Sequence, residues 1–273
     1  MRSWNRRQRA LGLLLFTAVL LLAVTVSGAL LTDRATAADF SRTNLAPGPD
    51  GLFGTDWLGR DMLSRTLAGL SLSIRIGALT ACVSAVIALA LGVAAALSRW
   101  ADAVLSWLID LFLGIPHILL VMLISLACGR GFLGVVAGVS LSHWPSLARL
   151  VREEVLQLRQ APYLLAAEKL GVLRGQLVRR HLLPHLLPQF LTGLILQFPH
   201  AILHEASVTF LGFGLSSEQP AIGVILSESM QYLTTGRWWL ALFPVADLVG
   251  EVLLFAGLGE QARRLLDPSS LHQ

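Results

Sequence analysis

Two histidines four residues apart, His200 and His204, have the spacing of a substrate-binding pair within a long apolar stretch. On an α-helix, residues i and i+4 lie on the same face. Ionisable side chains are costly inside a membrane span and usually face the bundle interior or a water-filled path. Neutral imidazole is also a good ligand for nickel, copper and zinc. We therefore predict that both histidines line a translocation path and contact a metal; the alternative is hydrogen bonding to neighbouring helices.

Carboxylates occur at the same predicted depth. Asp247 and Glu251 repeat the i, i+4 spacing in the last apolar stretch, and Glu205 directly follows the histidine pair. Buried carboxylates that line a route favour a cationic passenger. The alternative is that they pair with arginines such as Arg75 and Arg237, or with another subunit. The predicted translocation path comprises His143, His200, His204, Glu205, Asp247 and Glu251.

The composition is that of a protein embedded in a membrane. Apolar residues make up 55% of the 273 residues and charged residues 14%, and the mean hydropathy is +0.67. The apolar residues cluster in blocks of span length, which a soluble core of this size does not require. The net charge of +4 does not indicate nucleic-acid binding, because the basic residues flank apolar blocks without interleaved aromatic residues. We predict an all-α, polytopic membrane protein with about six transmembrane helices.

The chain is predicted to form one transmembrane domain preceded by an anchor. The segments are a cytoplasmic N-terminus at 1–10, a first transmembrane anchor at 11–31, an extracytoplasmic loop at 32–71 with an interfacial helix at 56–70, a transmembrane domain at 72–260 and a cytoplasmic tail at 261–273. Within the domain, the predicted spans are 72–97, 104–128, 132–147, 186–212 and 239–258. The block at 11–31 exceeds the roughly 7–15 apolar residues of a signal peptide, so we predict an uncleaved anchor rather than cleavage near Ala37.

Most of the 21 lysines and arginines fall in segments that this layout places in the cytoplasm, as the positive-inside rule requires. Both termini of this multi-pass protein of the cell (inner) membrane are then predicted to be cytoplasmic, with the spans in contact with membrane lipid. Arg60, Arg65 and Arg75 weaken the bias, because they lie near the outer end of the second predicted span. The basic loop at 149–185 is too polar for a bilayer, and its pattern predicts helix, turn and helix.

That basic loop carries two alanines, a glycine, a histidine and a proline in a characteristic order. The order resembles the signature loop of ABC importer permeases, in which a short coupling helix docks into a cleft of a cytoplasmic ATPase. By this resemblance, the ATPase-coupling residues are Ala166, Ala167, Glu168, Gly171, His181 and Pro184. The family's glutamate before the two alanines is replaced by Leu165, and Glu168 is expected only to support the surface charge of the loop.

Three further segments resemble the C-type permeases that import peptides, nickel and related solutes. They are residues 54–61 (GTDWLGRD), residues 207–214 (SVTFLGFG) and a C-terminal group of Gly259, Glu260, Arg263, Asp267 and Pro268. Residues 198–204 (FPHAILH) and 142–144 (SHW) are more similar to the nickel branch. The resemblance implies three kinds of partner: a second homologous permease subunit, two cytoplasmic ATPase subunits and an extracytoplasmic solute-binding protein.

The sequence contains neither a GxxxxGK[ST] phosphate-binding loop nor an HExxH zinc motif. We therefore predict a transport subunit that is not an enzyme, binds no cofactor itself and depends on ATP hydrolysis by partner subunits. The leading prediction is import of nickel or a chelated transition metal by ATP-driven alternating access. Di- or oligopeptides are the alternative cargo for the same machine, and an ion-coupled secondary transporter is the third hypothesis.

Overall fold

The computed structural model describes residues 6–49 and 51–266, and within these residues the secondary structure is helical, without β-strands. The all-α prediction is therefore confirmed. Asp267 and Pro268 of the C-terminal motif lie outside the described residues. The α-helices, numbered along the chain, are α1 (Arg6–Leu30), α2 (Thr32–Thr36), α3 (Met62–Leu97), α4 (Arg99–Gly114), α5 (His117–Ala127), α6 (Gly131–Arg159), α7 (Pro162–Lys169), α8 (Arg174–Leu177), α9 (Leu183–Phe210), α10 (Ile222–Leu233) and α11 (Trp239–Leu266). A π-helical segment, Val178–Leu182, joins α8 to α9.

Among the described residues, four helical segments are long and apolar enough to cross a membrane: α1, most of α3, the segment Gly175–Phe210 that includes α9, and α11. Helices α4 and α5 qualify together as a fifth, although they are bent by 99° where they meet. Ile115 is extended at this bend, and Pro116 has no N–H with which to continue the helical hydrogen bonds. The predicted span at 104–128 is therefore two helices. By length and composition, the described residues hold four or five candidate spans, against a prediction of about six.

Helix α6 contains the predicted span at 132–147 but is not among the segments that qualify as spans. Its second half carries charged residues, including Arg149 and Arg152. Its first half is buried among the other helices and includes polar residues such as Ser140 and His143. A helix enclosed by protein can carry polar groups that lipid would not tolerate. These polar residues of α6 therefore face protein, and Pro145 lies within the helix rather than ending it.

The predicted interfacial helix at 56–70 is not a separate element. Helix α3 begins at Met62 and continues without a break to Leu97, so the predicted second span is its C-terminal part. Asp61 caps its N-terminus, because the Ser64 N–H and hydroxyl donate hydrogen bonds to the Asp61 carboxylate (3.0 and 2.5 Å). The first turns are buried inside the protein, where Met62 and Thr66 are both fully buried.

The loop ion network, as we call it, consists of the buried residues Asp56, Arg60 and Arg65 and the half-buried Glu228. The Asp56 carboxylate accepts hydrogen bonds from Arg60 Nε and from Arg65 Nη1, each at 2.6 Å. It also accepts the backbone N–H groups of Leu58 and Arg60, each at 2.9 Å. Arg65 Nη2 lies 3.0 Å from Glu228 Oε2 in α10. The network therefore joins the loop to α3 and α10, and it neutralises two of the three arginines that weaken the positive-inside bias.

Helix α1 packs against α3 at very short range. An added Cβ at Gly28 would overlap the carbonyl oxygen of Leu67 and lie 2.6 Å from Ser71 Cβ. The Ser71 hydroxyl donates a hydrogen bond to the Thr25 carbonyl oxygen at 2.7 Å. Small residues permit such close backbone approach between membrane helices. Gly28 and Ser71 therefore fix the position of α1 on the bundle.

We expect Gly28→Ala to destabilise the protein by about 1–3 kcal/mol, because the added methyl group forces the two backbones apart. The thermal unfolding midpoint of the purified protein in detergent measures this effect. Gly257→Ala in α11 is the matched control, since an added Cβ there meets no atom within 4 Å. Equal unfolding midpoints for the two variants would contradict the close contact.

Candidate functional site

The loop between α6 and α9 folds into a short helical hairpin. Helix α7 follows α6 after two residues, and Gly171, with φ of +82°, turns the chain beyond it. The Val172 N–H donates a hydrogen bond to the Ala167 carbonyl oxygen at 3.2 Å, as in a Schellman C-cap. A residue with a Cβ rarely adopts this positive φ, which explains the glycine at this position. The helix, turn and helix occur in the predicted order.

The hairpin combines buried leucines with several exposed apolar side chains. Leu164 in α7 is buried, and its cluster includes Leu158, Leu177 and Leu182. The exposed apolar side chains, which we call the loop patch, are Tyr163, Leu165, Leu170 and Leu173. Leu170 is 84% exposed. Exposed apolar groups of this size, in a loop too polar for a bilayer, indicate a surface that binds another protein.

The residues assigned to ATPase coupling all lie in or beside this hairpin. In chain order they are Ala166, Ala167 and Glu168 in α7, Gly171 at its C-cap, His181 in the π-helical segment and Pro184 in the first turn of α9. The His181 and Tyr163 ring centroids are 6.3 Å apart. This contact connects α7 to the start of α9, so the hairpin is linked to two long helices.

Two ion pairs connect α6 to α4. The Arg152 guanidinium donates to both carboxylate oxygens of Asp102, with Nη2 to Oδ2 at 3.0 Å. Arg149 Nη2 donates to Asp110 Oδ1 at 2.9 Å, and both side chains are exposed. These pairs hold α4 against the half of α6 that leads into α7.

Three histidines from three helices meet in what we call the histidine cluster: His117 at the start of α5, His143 in α6 and His204 in α9. The ring centroids are 4.6 Å apart for His117 and His143, 4.4 Å for His117 and His204, and 5.0 Å for His143 and His204. One ligand atom from each residue lies within 4.8 Å of those of the other two. His143 is buried and the other two are half-buried. The bend at Pro116 brings His117 to this position.

Backbone carbonyl groups determine which nitrogen carries the proton in two of these rings. His143 Nδ1 lies 2.8 Å from the Val139 carbonyl oxygen, and His204 Nδ1 lies 2.6 Å from the His200 carbonyl oxygen. A carbonyl oxygen only accepts hydrogen bonds, so both Nδ1 atoms are donors. In each neutral ring, Nε2 then carries a lone pair. The cluster therefore presents at least two nitrogens as ligands or acceptors.

His200 is not a member of this cluster. Its side chain is exposed, and it contributes its carbonyl oxygen rather than its imidazole. The predicted pair of His200 and His204 is thus replaced by three imidazoles, of which His117 was missed. A third histidine within an apolar block, directly after Pro116, was the available signal.

The predicted carboxylates are not hydrogen-bonded to one another. Glu205 is fully buried and accepts hydrogen bonds from the hydroxyls of Ser73 (2.7 Å) and Thr209 (3.1 Å). It therefore joins α9 to α3. Glu251 in α11 is 3% exposed, and neither carboxylate oxygen has a hydrogen-bond partner among the described residues. Asp247, one turn earlier, is half-buried.

A family model named binding-protein-dependent transport system inner membrane component matches residues 87–268 of the chain. The matched region includes both the loop hairpin and the histidine cluster. The match does not include α1, nor Asp56, Arg60 and Arg65 of the loop ion network.

Curated relatives align along nearly the whole chain. The dipeptide transport system permease protein DppC of Bacillus subtilis is 29% identical over 93% of this chain and 80% of its own length. The protein of the same name from Alkalihalophilus pseudofirmus is 31% identical over 94% of this chain and 84% of its own. A solved structure of the MetNI methionine ABC transporter in an inward-facing conformation has a TM-score of 0.62 at 21% identity, covering 76% of this chain and 98% of that one. That structural match shows a shared fold.

Proposed function

The chain belongs to the family of binding-protein-dependent transport system inner membrane components, and we propose that it is the permease subunit through which an ABC importer moves di- or oligopeptides. The permease assignment makes it a transport subunit of the inner membrane rather than an enzyme. The names of its relatives support the peptide cargo. They favour this alternative over the nickel cargo that the histidine pair predicts.

The exposed apolar side chains of the hairpin support our proposal that this loop binds a partner protein. Its apolar loop patch lies on and just after α7, and the buried Leu164 of that helix packs against the bundle. An ABC importer permease works with ATPase subunits and a binding protein. We assign the loop patch and the coupling residues to the ATPase contact, and the hydrolysis of ATP to those subunits. Leu165, in place of the family's glutamate, adds to the apolar part of that contact.

The remaining partners follow from the same assignment. We propose a second homologous permease subunit beside this chain, two ATPase subunits on the cytoplasmic side and a solute-binding protein on the opposite side. The N- and C-termini then lie in the cytoplasm together with the loop hairpin. Family membership disfavours the ion-coupled secondary transporter, because such a transporter needs no ATPase partner.

Peptide uptake in cells tests this function. The complete transporter operon is expressed in an amino-acid auxotroph that lacks its own peptide importers, and the required amino acid is supplied as a dipeptide. We expect growth on the dipeptide with the intact operon and no growth when this permease is deleted. Growth on the free amino acid is the control for general fitness. Equal growth on the dipeptide with and without the permease would contradict a peptide cargo.

A further inference from the structure

We propose that the histidine cluster binds a divalent transition-metal ion of the Ni²⁺, Cu²⁺ and Zn²⁺ class that arrives with the imported solute. The inference rests on the proposed import function, because a transport path is what brings a solute to side chains of membrane-embedded helices. It adds a metal-ion site on this chain to the proposed import of peptides. The ion reaches the cluster either free or held by a short peptide.

The donor set fits such an ion. Imidazole nitrogen is a preferred ligand of these metals. In metal sites, a ligating histidine commonly donates its other N–H to a backbone carbonyl or carboxylate, which fixes the tautomer and the ring orientation. His143 and His204 make that contact through Nδ1, to Val139 and His200 respectively. Their Nε2 lone pairs are thereby set up as ligands before any ion binds.

The three rings cannot satisfy one another through hydrogen bonds. His143 Nε2 and His204 Nε2 are both acceptors, so no hydrogen bond can join them. A neutral His117 carries a single N–H and can supply a proton to only one of the two. His117 Nε2 and His143 Nε2 are buried, and neither has a hydrogen-bond partner among the described residues. One His117 N–H therefore cannot pair with both Nε2 lone pairs, whereas a metal ion uses both of them.

The geometry suits an ion in transit rather than one held permanently. In a tetrahedral site with metal–nitrogen bonds of 2.0–2.1 Å, ligand nitrogens are separated by about 3.4 Å. The cluster's ligand atoms are spread over up to 4.8 Å, so the side chains must rotate inward to complete the site. Three ligands also leave a fourth position open, as in catalytic zinc sites. A peptide that chelates the ion through its amine and carbonyl groups can occupy that position.

Metal binding to the purified, assembled importer tests the site. The metal-free complex is titrated with Co²⁺, whose visible absorption reports tetrahedral nitrogen ligation, and bound Ni²⁺ is counted after equilibrium dialysis. We expect one ion per copy of this chain, and at least tenfold weaker binding for His117→Ala and for His204→Ala. His200→Ala is the matched variant, because it removes an imidazole from α9 one turn away from the cluster. It is expected to retain the affinity.

Two results would overturn the site: no stoichiometric metal binding by the unaltered complex, or equal losses for His200→Ala and His117→Ala. His117→Asn serves as the second variant if His117→Ala does not assemble. Uptake of Ni²⁺ alone and of Ni²⁺ with glycylglycine distinguishes a free ion from a peptide-held one. Normal uptake of a metal-free dipeptide by a complex that binds no metal rejects this site alone. Equal growth on the dipeptide with and without the permease rejects the proposed function.

Discussion

Asp56→Ala is expected to destabilise the protein by about 3–5 kcal/mol and to reduce the amount of assembled transporter sharply. Asp56 is fully buried and accepts hydrogen bonds from both Arg60 and Arg65. Without it, Glu228 is the one acidic partner left to Arg65 among the described residues, and the Arg65 side chain is 2% exposed. Removing one member of a buried ion pair is costly because the remaining charge is left uncompensated. The unfolding midpoint in detergent and the yield of assembled complex measure the effect.

Asp61→Ala is the matched control for this experiment. Asp61 belongs to the same sequence motif, but its carboxylate only caps α3 through Ser64. Loss of an N-cap costs about 1 kcal/mol. If Asp56→Ala were no more damaging than Asp61→Ala, the loop ion network would not stabilise the fold as described.

Gly171→Val is expected to lower solute uptake at least tenfold while ATP hydrolysis continues. Gly171 has a φ of +82°, and nothing lies within 4 Å of an added Cβ, so the cost arises from the backbone conformation and not from crowding. A β-branched residue disfavours this conformation strongly. The C-cap of α7 must then change, which displaces Leu170 and Leu173 of the loop patch. Uptake and ATPase activity measured in the same proteoliposomes report the loss of coupling.

Gly175→Val is the control, because Gly175 also has open space around it but no positive φ. Valine in a helix costs only a fraction of a kcal/mol relative to the best helix formers. We expect its uptake to remain close to that of the unaltered protein. Equal uptake by the two variants would show that the turn at Gly171 does not determine coupling.

Local sequence patterns predicted the helical class, the first and last spans and the hairpin with Gly171 at its turn. They failed where a partner distant in the chain decides the outcome. Arg65 appears too polar for a span, yet α3 includes it because Asp56 and Glu228 neutralise it. Glu228 lies 163 residues further along the chain, and no short-range pattern connects the two.

The candidate site shows the same limit. The sequence places His143 and His204 in the translocation path, but helical spacing pairs His204 with His200. His117 was missed because its approach depends on the 99° bend between α4 and α5. A proline in an apolar block indicates an irregular helix. It does not indicate which helix the following residue will contact.

Helix α6 is one stretch of backbone from His143 to Arg159, about 24 Å at the rise of an α-helix. Only two residues separate its end from α7, too few to absorb a displacement. Pro145 lacks the N–H that would complete the preceding turn, so α6 is missing one helical hydrogen bond at this point. A displacement of the hairpin would therefore bend α6 most readily beside His143, where the histidine cluster lies.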